Sequence, residues 1–270
     1  MNPVIFTIFG FEVRWYSVLI LTGVLIAILM LEKEGKRFNI PKEFCFNLAF
    51  WVIVFGLIGA RLYYCIFNFS QFKDNIIDIF KVWQGGLAIH GGIIAGFITL
   101  IVYSKRYGVN PFKMTDMTVV PLLFAQAIGR WGNFFNSEAH GAATTYYHLK
   151  ELHIPDFIIE GMKINNVYYH PTFFYESLWC FLGFIILLIV RRYRYLKRGQ
   201  LTCFYLMYYS FGRFFIESMR TDSLMIGGFK TAQVVSIILF VVGLLVCMIL
   251  SRKGKFEDLY NEEQNGPVRF

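Results

Sequence analysis

Long apolar runs are the feature of this 270-residue sequence that most limits what it can fold into. A hydrocarbon core of about 30 Å is crossed by roughly 20 mostly apolar residues in a helix. Since unpaired backbone groups in lipid cost several kcal/mol each, helices are the economical way to cross it. The sequence therefore predicts an all-α integral membrane protein, a bundle of seven transmembrane helices. The runs lie near 15–31, 44–67, 86–103, 114–131, 172–190, 200–217 and 229–250.

The composition supports this class of protein. Charged residues make up 16% of the chain and mean hydropathy is +0.51, whereas a soluble domain has about 25% charged residues. Too few charges are present to cover a globular surface. We expect one transmembrane domain over residues 1–270. A polar insertion at about 132–169 should form a small outer cap, and the acidic tail at about 251–270 should be solvated and cytoplasmic.

The orientation in the membrane follows from the loop charges, because Lys and Arg mark cytoplasmic loops. Alternate connections are rich in basic residues, namely 32–43, 104–113, 191–198 and the segment after 250. The connections at 68–85 and 218–228 are poor in them, which places the N-terminus outside and the C-terminus in the cytoplasm. The net charge of +8 then comes mostly from the basic residues that mark the cytoplasmic loops. Clusters beside spans suit anionic headgroups, so no nucleic-acid partner is expected.

Polar residues inside the predicted spans converge on the outer half of the membrane. A charge at the centre of a span costs about 2.5 to 3.5 kcal/mol on insertion scales, so such convergence indicates function. In the sixth span the polar residues recur at i, i+4, i+8 and i+11, which is one helix face. Ion pairs that only hold the bundle together are the structural alternative for any single residue. The set comprises Arg61, His90, Arg130, the block "HPTFFYE" at 170–176, Tyr209, Arg213, Glu217 and Arg220.

The third span carries a glycine-rich stretch, "GGLAIHGGIIAG". Ala88, Gly92 and Gly96 recur every four residues, the spacing that lets helices pack closely. Packing does not account for His90 directly before two glycines, which favour close approach to a ligand. A satisfied core histidine is the alternative interpretation of His90.

Two or three arginines in one leaflet indicate a phosphate ligand, because guanidinium groups bind phosphate through paired hydrogen bonds. A phospholipid headgroup is the natural source of that phosphate. Asn133, one turn after Arg130, is placed to donate to the phosphate or to a glycerol hydroxyl. Glu138 is placed either to orient an arginine or to accept from that hydroxyl.

The residues between positions 129 and 141, "GRWGNFFNSEAHG", resemble the signature of bacterial prolipoprotein diacylglyceryl transferases, Gly-Arg-x-Gly-Asn-Phe-x-Asn-x-Glu-x-x-Gly. Every fixed position is met. Other blocks are similar to that family in the same order, so the resemblance covers nearly the whole chain. They are "RWY" at 14–16, "GARLYY" at 59–64, "HGG" at 90–92, "HPTFFYE" at 170–176 and "YSFGRFFIESMRTD" at 209–222.

The resemblance implies an enzyme of the bacterial cytoplasmic (inner) membrane. Such an enzyme moves the diacylglyceryl group of phosphatidylglycerol onto the lipobox cysteine of a prolipoprotein, forming a thioether and releasing glycerol 1-phosphate. His90 would take the thiol proton, with Tyr209 as rival or partner, while Arg130 and Arg213 would stabilise the departing phosphate. No metal or other cofactor is expected. Residues assigned to substrate binding are Tyr16, Arg61, Asn133, Asn136, Glu138, Gly141, Glu217 and Arg220.

Three other classes of membrane protein fit the sequence less well. A transporter would typically show paired repeats and a midplane site made by broken helices. A metalloenzyme would have to use histidines and a glutamate of the cap, but their spacing matches no zinc pattern. An intramembrane serine protease would show a serine in a glycine-rich elbow, which is absent from the sequence. The cap residues in question are His140, His148, Glu151 and His153.

Overall fold

The computed structural model describes residues 3–8, 10–73, 75–253, 258–262 and 268. Within them, a helix of at least 18 residues lies at each predicted apolar run. Four of these helices are long and apolar enough to cross a membrane, namely Trp15–Arg37, Lys42–Phe67, Thr172–Val190 and Thr231–Arg252. The protein is thus mostly helical with membrane-type helices, and the number of spans stays a prediction. The long helices are α1 (Trp15–Arg37), α2 (Lys42–Phe67), α3 (Ile89–Arg106), α4 (Pro111–Asn136), α7 (Thr172–Val190), α8 (Gln200–Met219) and α9 (Thr231–Lys253).

Helix α4 runs further than the apolar pattern predicts. The fourth run was expected to end at 131, and the insertion to begin at 132, but the helix continues to Asn136. A polar helix end has the same composition as a loop, so an apolar run underestimates its length. As a result, Arg130, Asn133 and Asn136 all lie on the last two turns of one helix.

The chain divides into two compact units, and the boundaries fall within α1 and α4. One unit comprises residues up to Met30 together with Thr118–Glu262, and the other comprises mainly Leu31–Met117. In the second unit, α2 and α3 pack through glycines. A Cβ added to Gly92 would lie 3.3 Å from the carbonyl oxygen of Gly56, and one on Gly96 would lie 3.4 Å from Val52 Cγ1. The close helix packing predicted from the glycine spacing is therefore present.

The polar insertion is a small folded subdomain of the first unit. It contains helices α5 (Tyr146–Glu151) and α6 (Asp156–Gly161) and a three-stranded antiparallel sheet in the order β3-β5-β4. The strands are β3 (Ala143–Thr144), β4 (Lys163–Ile164) and β5 (Val167–Tyr169). Although the segment is polar on average, it buries an apolar core. The core residues are Phe134, Leu149, Ile154, Ile158, Ile159, Met162 and Phe173.

Two further β-hairpins belong to the first unit. Strands β1 (Val4–Ile8) and β2 (Phe11–Arg14) pair antiparallel directly before α1. Strands β6 (Met225–Ile226) and β7 (Phe229–Lys230) pair between α8 and α9. Gly227 and Gly228 form the two-residue turn of this second hairpin, with φ of +56° and +86°. Such turns favour glycine because both positions need positive φ.

Part of the C-terminal tail is docked, which corrects the expectation of a solvated tail for residues 258–262. The backbone N–H of Tyr260 donates to the Leu196 carbonyl at 2.7 Å, and that of Arg198 donates to the Asp258 carbonyl at 2.8 Å. The Tyr260 side chain is fully buried. This segment therefore pairs with the basic connection between α7 and α8. The rest of the tail, 254–257, 263–267 and 269–270, lies outside the described residues.

Candidate functional site

The polar residues of α8 share one face, as their spacing predicts. Arg213 Nη2 lies 2.7 Å from Glu217 Oε2, and Arg220 Nη1 lies 3.9 Å from the same oxygen. These contacts join successive turns of the helix, so Glu217 is shared between two arginines. Tyr209 lies one turn before Arg213 and completes the face.

Glu176 on α7 is the centre of the site. Its Oε1 lies 2.7 Å from Arg130 Nη2 and accepts a 3.3 Å hydrogen bond from the Tyr209 hydroxyl. Its Oε2 lies 2.8 Å from Arg213 Nη1. The Arg130 guanidinium also donates to the Tyr209 oxygen at 3.3 Å. One carboxylate therefore ties together α4, α7 and α8.

The exposure of the charged groups in this cluster is unequal. The side chains of Glu176 and Glu217 are each 4% exposed, whereas those of Arg213 and Arg130 are 15% and 23% exposed. The buried carboxylates compensate the arginine charges from within the bundle. The arginine side chains, in contrast to the two glutamates, remain partly accessible from outside the bundle. A ligand that approaches the cluster therefore meets positive charge, which favours an anion.

The sequence placed the block that ends at Glu176 in the outer half of the membrane but gave Glu176 no catalytic or binding role. Glu176 lies in the block "HPTFFYE", and the signal that could have identified it is a lone carboxylate near the start of an apolar run. Buried acids in membrane helices pair with one another or with basic groups and mark functional sites. The partners Arg130 and Arg213 could then have been sought on other helices.

The C-terminal end of α8 is fixed by two more ionic groups. Arg220 binds Asp222 with two hydrogen bonds, Nε to Oδ1 at 3.0 Å and Nη2 to Oδ2 at 3.1 Å. Burial raises the pKa of the Asp222 carboxyl, but these hydrogen bonds and the Arg220 charge outweigh it and hold that pKa below its ordinary value. Lys230 Nζ donates to the carbonyls of Glu217 and Arg220 at 2.8 and 2.6 Å. A cation on the last carbonyls stabilises a helix end.

Gly141 is a crossing point of three backbone segments. Its N–H donates to the His170 carbonyl at 2.9 Å, and it forms an isolated antiparallel bridge with Arg220. A Cβ here would lie 2.8 Å from His170 Cβ and 3.2 Å from the Met219 carbonyl oxygen. Only glycine fits without displacement of these neighbours. Close backbone packing therefore accounts for the glycine, and its predicted place in a lipid site stays a prediction.

The turn after α4 holds the next polar residues of the signature. Asn136 Nδ2 donates to Glu138 Oε1 at 3.1 Å, so in this structure Glu138 orients an amide and not an arginine. Ser137 and Ala139 on either side of Glu138 have φ of +53° and +58°. Non-glycine residues adopt this conformation rarely, and it is concentrated at functional sites.

Asn133 and Tyr16 are available to a ligand. The Tyr16 ring packs on α4, where a Cβ added to Gly132 would lie 2.5 Å from Tyr16 Cδ2. Within the described part of the chain, neither the Asn133 amide nor the Tyr16 hydroxyl has a hydrogen-bond partner. Both belong to the same unit as Glu176 and the arginines that it pairs with.

Arg61, in the second unit, has a different environment. Four donor contacts from its guanidinium go to backbone carbonyls. Nε donates to Ile79 at 2.8 Å, Nη2 to Asp78 at 2.6 Å, and Nη1 to Gly85 and Gly86 at 2.6 and 3.1 Å. The side chain is buried. Arg61 therefore holds the loop between α2 and α3 in place. Little of its guanidinium group is left free to make the substrate contact that was predicted for it.

His90 lies in the first turn of α3 and is exposed. Its ring centroid lies 6.2 Å from that of Tyr63. Among the described residues its imidazole has no hydrogen-bond partner. His90 is thus neither buried nor hydrogen-bonded within the described residues, and its catalytic role stays a prediction.

The histidines and acids of the insertion do not assemble a metal site. No group of three His, Cys, Asp or Glu side chains suited to a metal ion occurs within the described residues. His148 pairs with Glu151 at 3.8 Å, and His170 lies against His148 with ring centroids 5.6 Å apart. Burial and the neighbouring His148 both lower the pKa of His170.

Replacement of Glu176 by glutamine should destabilise the protein by about 3 to 5 kcal/mol, the cost of removing one partner from a buried charge pair. The amide can accept from one arginine only and turns N–H groups toward the other. Thermal unfolding of the purified protein in detergent measures the effect. Glu151→Gln, an exposed glutamate of α5, is the matched control and should unfold at the wild-type temperature. An unchanged midpoint for Glu176→Gln would show that solvent already compensates both arginines.

Comparison with known proteins gives consistent results. Residues 3–249 match the family model described as prolipoprotein diacylglyceryl transferase. A phosphatidylglycerol--prolipoprotein diacylglyceryl transferase of Listeria monocytogenes is 46% identical over 269 residues, covering 99% of this chain and 96% of the relative. Proteins of the same name from Bacillus cereus and Staphylococcus saprophyticus are 46% and 43% identical. These alignments cover 93% and 95% of this chain and 93% and 91% of the relatives.

Proposed function

Because the chain belongs to the prolipoprotein diacylglyceryl transferase family, we propose that it transfers the diacylglyceryl group of phosphatidylglycerol to a prolipoprotein. The acceptor is the lipobox cysteine thiol, and the product is a thioether with release of glycerol 1-phosphate. The observation that carries the proposal is the pair of partly exposed arginines, Arg130 and Arg213, on one buried carboxylate. That pair is suited to the phosphate of a lipid headgroup.

The arginine pair supports catalysis as well as binding. The cysteine sulfur attacks the carbon of the diacylglyceryl group that carries the phosphate. The bond between that carbon and the phosphate oxygen breaks, and its electron pair leaves with the oxygen. Negative charge on the phosphate grows as that bond breaks. Guanidinium groups already held in place by Glu176 stabilise this charge without reorganising, which lowers the barrier. Asn133 and Tyr16 supply unpaired donors in the same unit for the rest of the headgroup.

The thiol proton goes to His90 in this proposal. A thiol with pKa of about 8.5 is mostly protonated near neutral pH, so a base accelerates its attack. The Tyr209 hydroxyl donates its proton to Glu176 and accepts from Arg130, so its proton and one of its two lone pairs are already engaged. The open imidazole of His90 is better suited to accept a proton. This difference favours His90 over Tyr209.

We also propose the finer membrane arrangement: seven spans in the bacterial cytoplasmic membrane, with the N-terminus outside and the C-terminus in the cytoplasm. Support comes from a long helix at each predicted run and from the basic residues of alternate loops. The insertion at about 132–169 then lies on the outer face. A single domain is the corresponding prediction for the whole chain.

Cysteine labelling tests the orientation. Tyr147→Cys in the insertion should react with a membrane-impermeant maleimide in intact cells, while Arg194→Cys between α7 and α8 should react only after permeabilisation. Both variants are made with Cys247→Ser, because the other four native cysteines are buried. Labelling at position 194 in intact cells would reverse the proposed topology.

Mass measurement tests the reaction itself. The purified protein is incubated with phosphatidylglycerol of defined acyl chains and a synthetic lipobox peptide. The peptide should gain the mass of one diacylglyceryl group less one hydrogen, and a peptide with serine for cysteine should gain nothing. A folded, lipid-binding protein that leaves the cysteine peptide unmodified would refute the proposal.

A further inference from the structure

The α2–α3 loop, residues 68–88, has an inside-out form, in which polar backbone groups face inward and several apolar side chains face outward. It contains three short 3-10 turns, Phe69–Gln71, Ile76–Phe80 and Val82–Gln84. Its carbonyl groups turn inward around the buried Arg61 guanidinium, as described above. Four of its large apolar side chains turn outward and are between 62% and 76% exposed. They are Ile76, Ile77, Phe80 and Trp83.

This arrangement is held in place by specific contacts. The Arg61 guanidinium carbon lies 5.3 Å from the centre of the buried Phe72 ring, on the inner side of the loop. A Cβ added to Gly86 would lie 2.5 Å from Arg61 Nη1, so the chain closes tightly on the arginine. Residues 78–79 and 85–86 both bind Arg61 and lie on either side of Phe80 and Trp83. The fold therefore fixes the outward direction of these two side chains.

Two charged residues of the loop, Asp78 and Lys81, neutralise one another. Lys81 Nζ lies 2.6 Å from Asp78 Oδ1, and Asn75 donates to the same carboxylate oxygen at 3.1 Å. A surface with paired charges and several exposed large apolar groups is unfavourable in water and marks an interaction site.

The apolar surface continues onto the neighbouring helices. Ile66 and Phe67, in the last turn of α2, and Ile89, the first residue of α3, are about as exposed as the loop residues. Helix α2 is one of the membrane-type helices, and little of its apolar stretch is buried inside the protein. The exposed apolar surface of this membrane-type helix is suited to lipid, and the loop continues that surface.

We propose that the α2–α3 loop is an interfacial membrane anchor, with Phe80 and Trp83 inserted into lipid at the membrane–water boundary. Aromatic side chains, tryptophan above all, are enriched at this depth. Amphipathic segments bind there by burying an apolar face while their polar groups stay in the headgroup region. Arg61 is the residue that gives the loop its inside-out form. The anchor stands or falls independently of the transfer reaction.

Quenching of a fluorophore tests the anchor. Trp83→Cys is labelled with a polarity-sensitive dye in the Cys247→Ser background and reconstituted into vesicles of phosphatidylcholine and phosphatidylglycerol. Tyr147→Cys, also highly exposed, is the matched control. Brominated lipid should quench the dye at position 83 at least about twofold more than at 147, and aqueous iodide should show the reverse order.

Two results would overturn the proposal. Iodide quenching at position 83 equal to that at 147 would place the loop in water. Protection of position 83 from both quenchers would show that a protein surface covers it. Arg61→Met gives a second measurement, since loss of the four carbonyl contacts should release the loop and abolish lipid quenching at 83. If that variant does not fold, the proposal is judged by the quenching at position 83 in the chain that keeps Arg61.

Discussion

Replacement of Arg213 by lysine should lower diacylglyceryl transfer by at least about 100-fold in a protein that still folds. The two terminal nitrogens of Arg213 reach carboxylates on two different helices, Glu176 at 2.8 Å and Glu217 at 2.7 Å. A lysine ammonium keeps the charge but lacks the planar fork, so it cannot span both carboxylates and also bind phosphate. Each hydrogen bond to a charged group is worth about 1.5 to 3 kcal/mol, or roughly 10- to 150-fold in rate.

Arg130→Lys should behave in the same way, since the Arg130 guanidinium contacts both Glu176 and Tyr209. The measurement is the initial rate of peptide modification per folded protein, with folding followed by thermal unfolding. Arg194→Lys, at an exposed arginine of the α7–α8 connection, should keep the wild-type rate. Near-normal transfer by either site variant would mean that its arginine serves only as a diffuse positive charge or a structural group.

Replacement of His90 by asparagine should lower turnover by about 100- to 10,000-fold, the usual contribution of a general base. Asparagine keeps polarity and approximate volume but does not accept the thiol proton near neutral pH. Binding of phosphatidylglycerol should survive. Below a thiol pKa of about 8.5, each unit of pH raises the thiolate fraction about tenfold. A higher pH should therefore partly restore the variant.

The comparison needs a histidine outside the mechanism. His153→Asn is suited to this, because His153 has φ of +57° and asparagine tolerates that conformation. It should retain wild-type turnover at every pH. If His90→Asn loses lipid binding or expression, His90 is a headgroup or packing residue and Tyr209 is the remaining candidate base. Full activity of His90→Asn at pH 7 would remove His90 from the mechanism.

The positions of the helices could be predicted from the sequence because apolar length is a local property. The end of α4 could not, since helical polar residues such as Asn133 look like loop residues when only hydropathy is considered. The tail shows the same limit in another form. Its acidic average predicts solvation, but the buried Tyr260 side chain and backbone hydrogen bonds dock residues 258–262 on the α7–α8 connection.

The candidate site was predictable where its residues lie on one helix. Helical spacing places Arg213 and Glu217 together, and the structure pairs them. Glu176 was missed because Arg213 lies 37 positions away in the sequence, and such long-range pairs leave no periodic pattern. Arg61 was predicted to bind substrate, but its acceptors in the structure are backbone carbonyls, which a sequence does not distinguish.

A structure of the protein with phosphatidylglycerol bound tests the central claim most directly. The account predicts that the headgroup phosphate lies within about 2.7 to 3.2 Å of guanidinium nitrogens of both Arg130 and Arg213, the range of ordinary hydrogen bonds. Glu176 should still contact both arginines from the buried side. A phosphate bound elsewhere, with the two arginines contacting only Glu176, Tyr209 and Glu217, would contradict the account.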